Sequence, residues 1–306
     1  MAGNGGVSRR LVLRAGAGVA AVAAAGGVGY ELISHGVLPG KSALDQLDGA
    51  CSLSATRFSF PSGVGRTMSG SFFSSKRNRL VGYSIGYPPR HTSGSALPLV
   101  VMLHGFGGNY ASALTSLTPA QAVALAGAGG GSLPPMALVT VDGGNGYWNA
   151  HPGDDPMGML VDELIPLCQR LGLGSPPQRI GAMGVSMGGY GALLLAEKHP
   201  ALVSAVAAIS PAIWTSYVQA RAANAYAYTS AAAFAANDAV THAASLAGMP
   251  VRVAAGDSDP FYAGVQALAA ALPAGSVVDL SKGCHVGSFF SSQEPPSLQF
   301  LARNLA

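Results

Sequence analysis

Five short apolar runs constrain this chain more than any other feature: Leu97 to Leu103, Met136 to Val141, Ile180 to Val185, Leu202 to Ile209 and Val251 to Ala255. Each is strand-length and apolar without alternation, the pattern of a strand buried on both faces. Several intervening segments have helical spacing. In Met159 to Leu171, Leu160, Leu164 and Leu167 share one side while Asp162, Glu163 and Arg170 lie mostly elsewhere. Strand and helix alternating over this length predict an α/β fold, a mostly parallel sheet with helices on both faces. Ahead of the runs, Gly70 to Ser74 and Leu80 to Tyr87 read as two antiparallel strands joined by a polar turn around Ser75, Lys76 and Asn78.

One segment does not fit simple alternation. Tyr217 to Leu246 is Ala-rich and carries Gln219, Arg221 and Asn224 among Tyr217, Tyr226 and Tyr228. An insertion there predicts a small helical cap over the C-terminal edge of the sheet; the competing arrangement is a covering helix with a long connection.

The N-terminal residues make a separate statement. Ser8-Arg9-Arg10-Leu11-Val12-Leu13-Arg14 precedes an uncharged Ala/Gly-rich stretch from Ala15 to Tyr30, with Ala23-Ala24-Ala25 as a candidate cleavage site. This pattern predicts a twin-arginine export signal over residues 1–35, and hence a cell-envelope or secreted protein that meets the export machinery. A membrane anchor would need about 20 strongly apolar residues. A Ser- and Gly-rich linker is expected over residues 36–67, and one catalytic domain over 68–306.

Charge narrows the partners. The 17 basic and 14 acidic residues give +3, but Arg9, Arg10 and Arg14 are the only charges before Glu31, and without them 14 of each sign remain. No Lys/Arg cluster interleaved with aromatics remains to neutralise phosphates, which excludes a nucleic-acid partner. Cys51, Cys168 and Cys284 form no disulfide framework, and Cys51 is expected in a loop or as half of one disulfide. The histidines before residue 259 form no metal-ligand cluster, so no metal is expected.

Gly184-Val185-Ser186-Met187-Gly188 follows the run from Ile180 and precedes a helix-like Gly189 to Lys198. That is the context of a G-x-S-x-G nucleophile elbow, in which a strained strand-to-helix turn presents the serine hydroxyl at the sheet edge. It predicts the α/β-hydrolase fold with Ser186 as nucleophile. In that fold the acid and the histidine follow the serine in the chain. Gly256-Asp257-Ser258-Asp259-Pro260 supplies the acid, with Asp259 preferred to Asp257, and Gly283-Cys284-His285 supplies the base. Leu103-His104-Gly105-Phe106-Gly107-Gly108 follows a strand as an oxyanion loop would, making the N–H groups of Phe106 and Met187 the expected donors. Asp142-Gly143-Gly144-Asn145-Gly146-Tyr147-Trp148 also follows a strand, so Tyr147 and Trp148 are candidates to line the substrate pocket.

Together with Glu163-Leu164-Ile165-Pro166 and Gly189-Tyr190-Gly191-Ala192, these motifs resemble the esterase D-like esterases, a group with S-formylglutathione hydrolases and, more distantly, mycobacterial mycolyltransferases. The resemblance covers roughly Leu80 to Ala306. It implies a serine triad, no cofactor, and acyl transfer from a small-molecule or lipid ester to water or to a sugar hydroxyl. The expected activity is therefore carboxylic ester hydrolysis, with an envelope acyltransferase and a non-catalytic envelope-binding homologue as the alternatives. Gly-Cys-His-Val-Gly around His285 departs from many members, and bears on substrate rather than on the triad.

Overall fold

The computed structural model describes residues 34, 41–47, 51, 65–127, 133–176 and 180–305. The proposed export signal, apart from Ser34, lies outside the described residues. Eight strands form one sheet: β1 (Thr67–Ser74), β2 (Arg79–Gly86), β3 (Leu99–Leu103), β4 (Ala137–Val141), β5 (Ile180–Val185), β6 (Val203–Ile209), β7 (Val251–Gly256) and β8 (Val277–Ser281). Their spatial order is β1-β2-β4-β3-β5-β6-β7-β8, with the β1–β2 and β2–β4 pairs antiparallel and the other pairs parallel, so that β2 alone runs against the rest. This is the α/β-hydrolase arrangement.

The apolar runs lack alternation because both faces are covered. Leu99, Val101 and Leu103 of β3 and Val139 and Val141 of β4 point to one layer; Val100, Met102 and Leu138 point to the other. The second layer is closed by α1 (Tyr110–Ala126) and α2 (Gly287–Asn304), through Leu114, Leu117, Leu298 and Leu301. The first is closed by helices that include α3 (Met187–Lys198) and α4 (Tyr262–Ala271), through Leu193, Leu195, Val265 and Leu268. Burying each such leucine contributes about 2 kcal/mol.

The amphipathic segment near Met159 is helical but not uniform. Pro156–Met159 and Ile165–Arg170 are α-helical, and Leu160–Leu164 between them is a π-helical turn. Pro166 has no N–H to give to the carbonyl four residues back, and just before it the N–H of Ile165 bonds to Leu160 five residues back. The Tyr217 to Leu246 segment is a broken cap: short helices at Tyr217–Ala223, Ala231–Ala235 and Ala239–His242, then a 3₁₀ turn at Ala243–Leu246. Asn224 ties it to the loop after β4 by donating from Nδ2 to the carbonyl of Asn145 at 2.9 Å.

Within residues 36–67, Lys41–Leu47 is helical, with Leu44 buried. Lys41 Nζ donates to Ser258 Oγ at 3.2 Å, and Cys51 is disulfide-bonded to Cys284. This segment is thus stitched to the two loops that follow β7 and β8. Among the described residues no helix is long and apolar enough to cross a membrane.

Candidate active site

From β3 the chain crosses to β4 on one side, whereas β5 and all later strands lie on the other. The order reverses between β3 and β5, and a crevice opens at the carboxyl ends of strands at such a point. Leu103 pairs with Gly184 in parallel register, so Gly105 and Ser186, two residues beyond each, emerge side by side.

Ser186 sits at φ 57° and ψ −122°, a left-handed conformation costly for a serine. The turn is held by Ser186 N–H to Ile209 O (2.9 Å), with Ala212 N–H and Tyr190 N–H both donating to Ser186 O (3.0 and 3.1 Å). Its tightness dictates the flanking glycines. A Cβ on Gly184 would lie 2.1 Å from the Gly188 carbonyl oxygen, and one on Gly188 would lie 1.9 Å from that of Leu103. Ser186 also caps α3, whose N-terminal dipole favours negative charge at this point.

Asp259 and His285 converge on it. The His285 Nδ1–H donates to Asp259 Oδ2 at 2.7 Å, which leaves Nε2 to accept from the Ser186 hydroxyl at 2.8 Å. The Asp259 carboxylate is fully enclosed, and its other oxygen accepts from Phe261 N–H at 2.8 Å. Rings of Phe261 and Phe290 pack on the imidazole, with centroids 5.2 and 4.9 Å away. Asp257 has a different task. Its Oδ1 accepts from Gly283 N–H (3.1 Å) and Ser258 Oγ (3.2 Å), lacing the loop after β7 to the loop that carries His285.

The loop after β3 is fixed by its own histidine. His104 Nε2 accepts from Gly143 N–H at 2.9 Å, so Nδ1 carries the proton and donates to Gly105 O at 2.8 Å. Burial pushes its pKa below the usual imidazole value, keeping the ring neutral. Gly107 N–H donates to Asn145 Oδ1 at 2.8 Å and Gly108 N–H to Gly105 O at 3.0 Å, with Phe106 at the apex of the turn, 61% exposed. Buried Arg77 supports the opposite loop, bonding Asp154 through Nε (2.6 Å) and Nη2 (3.0 Å) and the Asp142 carbonyl through Nη1.

A cavity of about 620 Å³ runs past Ser186 and His285. Tyr147, Trp214, Phe261 and Asn224 form one wall. Trp148 requires a correction: it does not line this cavity but is fully buried beneath the site. Its ring fills the space over Gly143 and Gly191, where added Cβ atoms would lie 2.2 and 2.5 Å from it, and it packs against His104 with centroids 5.1 Å apart. A large ring between two glycines is a core element that the loop position did not reveal. Glu294 and Ser116, also in the cavity wall, were missed. The one available sign was an acidic residue at four-residue spacing between Phe290 and Leu298, interrupting an apolar face. Among the described residues no group of three or more His, Cys, Asp or Glu could hold a metal ion.

A family model described as "Putative esterase" matches residues 74–279. The chain belongs to that esterase family. The esterase is accordingly a carboxylic ester hydrolase. No curated protein sequence matches this esterase significantly. Among solved structures it is similar to a ferulic acid esterase (20% identity, TM-score 0.66, covering 79% of this chain and 99% of that one). It is likewise similar to an S-formylglutathione hydrolase from Agrobacterium tumefaciens (19%, TM-score 0.63, 81% and 99%) and to Mycobacterium tuberculosis MPT51 (17%, TM-score 0.60, 82% and 100%). At these identities the likeness is one of fold.

The helix behind the esterase's serine also sets a pH dependence. Both carboxyl oxygens of Glu197 are buried without a hydrogen-bond partner among the described residues. Burial pushes this carboxyl up to about 8, Asp238 adding to the shift and Lys198 opposing it. An acid whose pKa is raised on folding stabilises the fold fully below its unfolded value, and that contribution is lost as pH rises through the folded value. Thermal unfolding followed by circular dichroism should therefore show stability falling as pH rises from about 4.5 to 8. Glu197→Gln should flatten that fall and be more stable than the parent at alkaline pH, by about 1–4 kcal/mol.

Proposed function

We propose that the protein is an exported serine carboxylesterase working through Ser186, His285 and Asp259. The observation that carries this reading is the unbroken chain of hydrogen bonds from Asp259 Oδ2 to Nδ1 and from Nε2 to Ser186 Oγ, 2.7 and 2.8 Å long, at the floor of a cavity. Ser186 Oγ attacks the ester carbonyl while His285 takes its proton, then returns it to the departing alcohol. Water, deprotonated by the same imidazole, hydrolyses the acyl-enzyme. Asp259 holds the ring in the required tautomer and stabilises its charged form. The N–H groups of Phe106 and Met187, on the two neighbouring turns, receive the negative charge that develops on the carbonyl oxygen.

A fluorophosphonate probe should label the protein at Ser186 and leave Ser186→Ala unlabelled in the same gel. Equal labelling of the variant would remove Ser186 from the mechanism. Export rests on Arg9, Arg10 and the Ala/Gly-rich stretch, and is supported by the Cys51–Cys284 disulfide, a bond that persists in oxidising compartments. Replacing both arginines by lysine should retain the protein inside the cell, which fractionation and immunoblotting would detect.

A further inference from the structure

The cavity continues beyond the imidazole. Phe290, whose ring meets His285 edge-on, lies on α2, and Glu294 follows one turn later on the same helix and lines the same cavity. Opposite it, α1 presents Ser112 and Ser116, while Met102 and Val185 supply an apolar surface between. The Glu294 residue is only 4% exposed, and Ser116 Oγ donates to its Oε1 at 3.0 Å. Among the described residues no cation pairs with it, and burial pushes the carboxyl up to about 7. Besides Glu294, α2 buries the apolar Phe289, Leu298, Leu301 and Ala302 and the polar Gln293 and Ser297, but those two accept from the Arg252 guanidinium, a kind of partner Glu294 lacks among the described residues. An apolar side chain would cover the sheet without the desolvation cost of a carboxyl, so packing does not account for this residue.

We infer that Glu294 and Ser116 form a hydroxyl-binding subsite that selects esters whose acyl or alcohol arm ends in a neutral hydroxyl beyond an apolar spacer. The assignment rests on the reading of Ser186 as the ester-cleaving nucleophile. A carboxyl paired with a serine can both accept from and donate to a hydroxyl, which itself does both. A ligand ammonium would instead bring a second desolvated ion against a single carboxyl in a wall otherwise made of hydroxyls and apolar groups. Four residues of helix advance about 6 Å, so the recognised hydroxyl should lie about five to seven bonds from the ester carbonyl. Met102, Val185 and Phe290 then flank the spacer.

The test compares p-nitrophenyl hexanoate with its 6-hydroxy and 6-amino analogues, and butyl acetate with 4-hydroxybutyl acetate, so that both arms of the ester are sampled with the hydroxyl about six bonds from the carbonyl. In one of the two pairs the hydroxylated ester should have a kcat/KM roughly 5- to 20-fold higher. Glu294→Leu should bring that ratio to about one, whereas Glu294→Gln, which still donates and accepts, should keep most of it. Each ratio is internal to one protein, so a loss of folded enzyme lowers both members of a pair alike. No preference in either pair, a preference that survives Glu294→Leu, or a stronger preference for the 6-amino ester would overturn the subsite. If none of these esters is hydrolysed, the reading of Ser186 fails separately. The subsite is then decided by calorimetric affinities of the same esters for Ser186→Ala protein, where equal binding of plain and hydroxylated members overturns it.

Discussion

Substituting His285 by alanine should lower kcat on p-nitrophenyl esters by at least about 10⁴-fold, with KM changed far less. The imidazole lies within proton-transfer reach of Ser186 Oγ, with Nδ1 committed to Asp259 and Nε2 free to take the proton. The acid should follow the same logic. Asp259→Asn should cost about 10³- to 10⁴-fold in kcat, because an amide can present a donor to Nδ1 and favour the wrong tautomer. Asp257→Asn is the control. Among the described residues its Oδ1 accepts from Gly283 N–H and Ser258 Oγ, bonds that an asparagine carbonyl can replace, and a loss below about tenfold is expected. Steady-state kinetics of the three variants, with circular dichroism to confirm folding, decide the matter. Similar losses for both aspartate variants would refute the division of labour between them.

The second large effect is on stability. The Cys51–Cys284 bridge closes a loop across 233 residues of sequence separation. In the chain-entropy description, a loop of that length restrains the unfolded chain by about 5 kcal/mol, an amount comparable with the whole stability of many domains. Cys51→Ser with Cys284→Ser, or reduction by dithiothreitol, should lower the thermal midpoint by about 10 °C or more, measured by calorimetry. Cys284 adjoins His285, and Lys41 near the other end of the bridge reaches Ser258 beside Asp259. Ester hydrolysis should therefore be lost on reduction at temperatures where the bulk of the sheet is still folded. Unchanged activity and midpoint after complete reduction would show that this tether is idle.

What the sequence made legible, and what it did not, divides along a physical line. Strands β3 to β7 could be read because a strand buried on both faces must be apolar throughout, and Ser186 because Gly184 and Gly188 permit a backbone approach that no Cβ would survive. Asp259 and His285 were reachable from their order after the serine, and the choice of Asp259 over Asp257 coincides with the hydrogen bond to Nδ1. Roles that depend on distant partners were not legible. Nothing local distinguishes His104, whose significance lies in Gly143, 39 residues away, and the carboxylate interrupting an apolar helix face at Glu294 says nothing of its partner Ser116, 178 residues away. Trp148 misled for the same reason: a ring on a loop near the site can point into the cavity or beneath it, and only Gly191 of α3 decides which. The Cys51–Cys284 pairing likewise joins positions whose neighbours in sequence say nothing of each other.

Two imidazoles stand at one rim of this sheet with opposite freedoms. His104 has both nitrogens engaged by main-chain groups, so its ring can neither swing nor pass a proton onward without unfastening the turn that bears Phe106. In the proposed mechanism the geometry of the oxyanion-binding turn is thereby insulated from the protonation cycle at the other ring. On that mechanism, a change that charges or displaces the ring of residue 104 would loosen the turn that bears Phe106 while leaving the bonds around Ser186 in place.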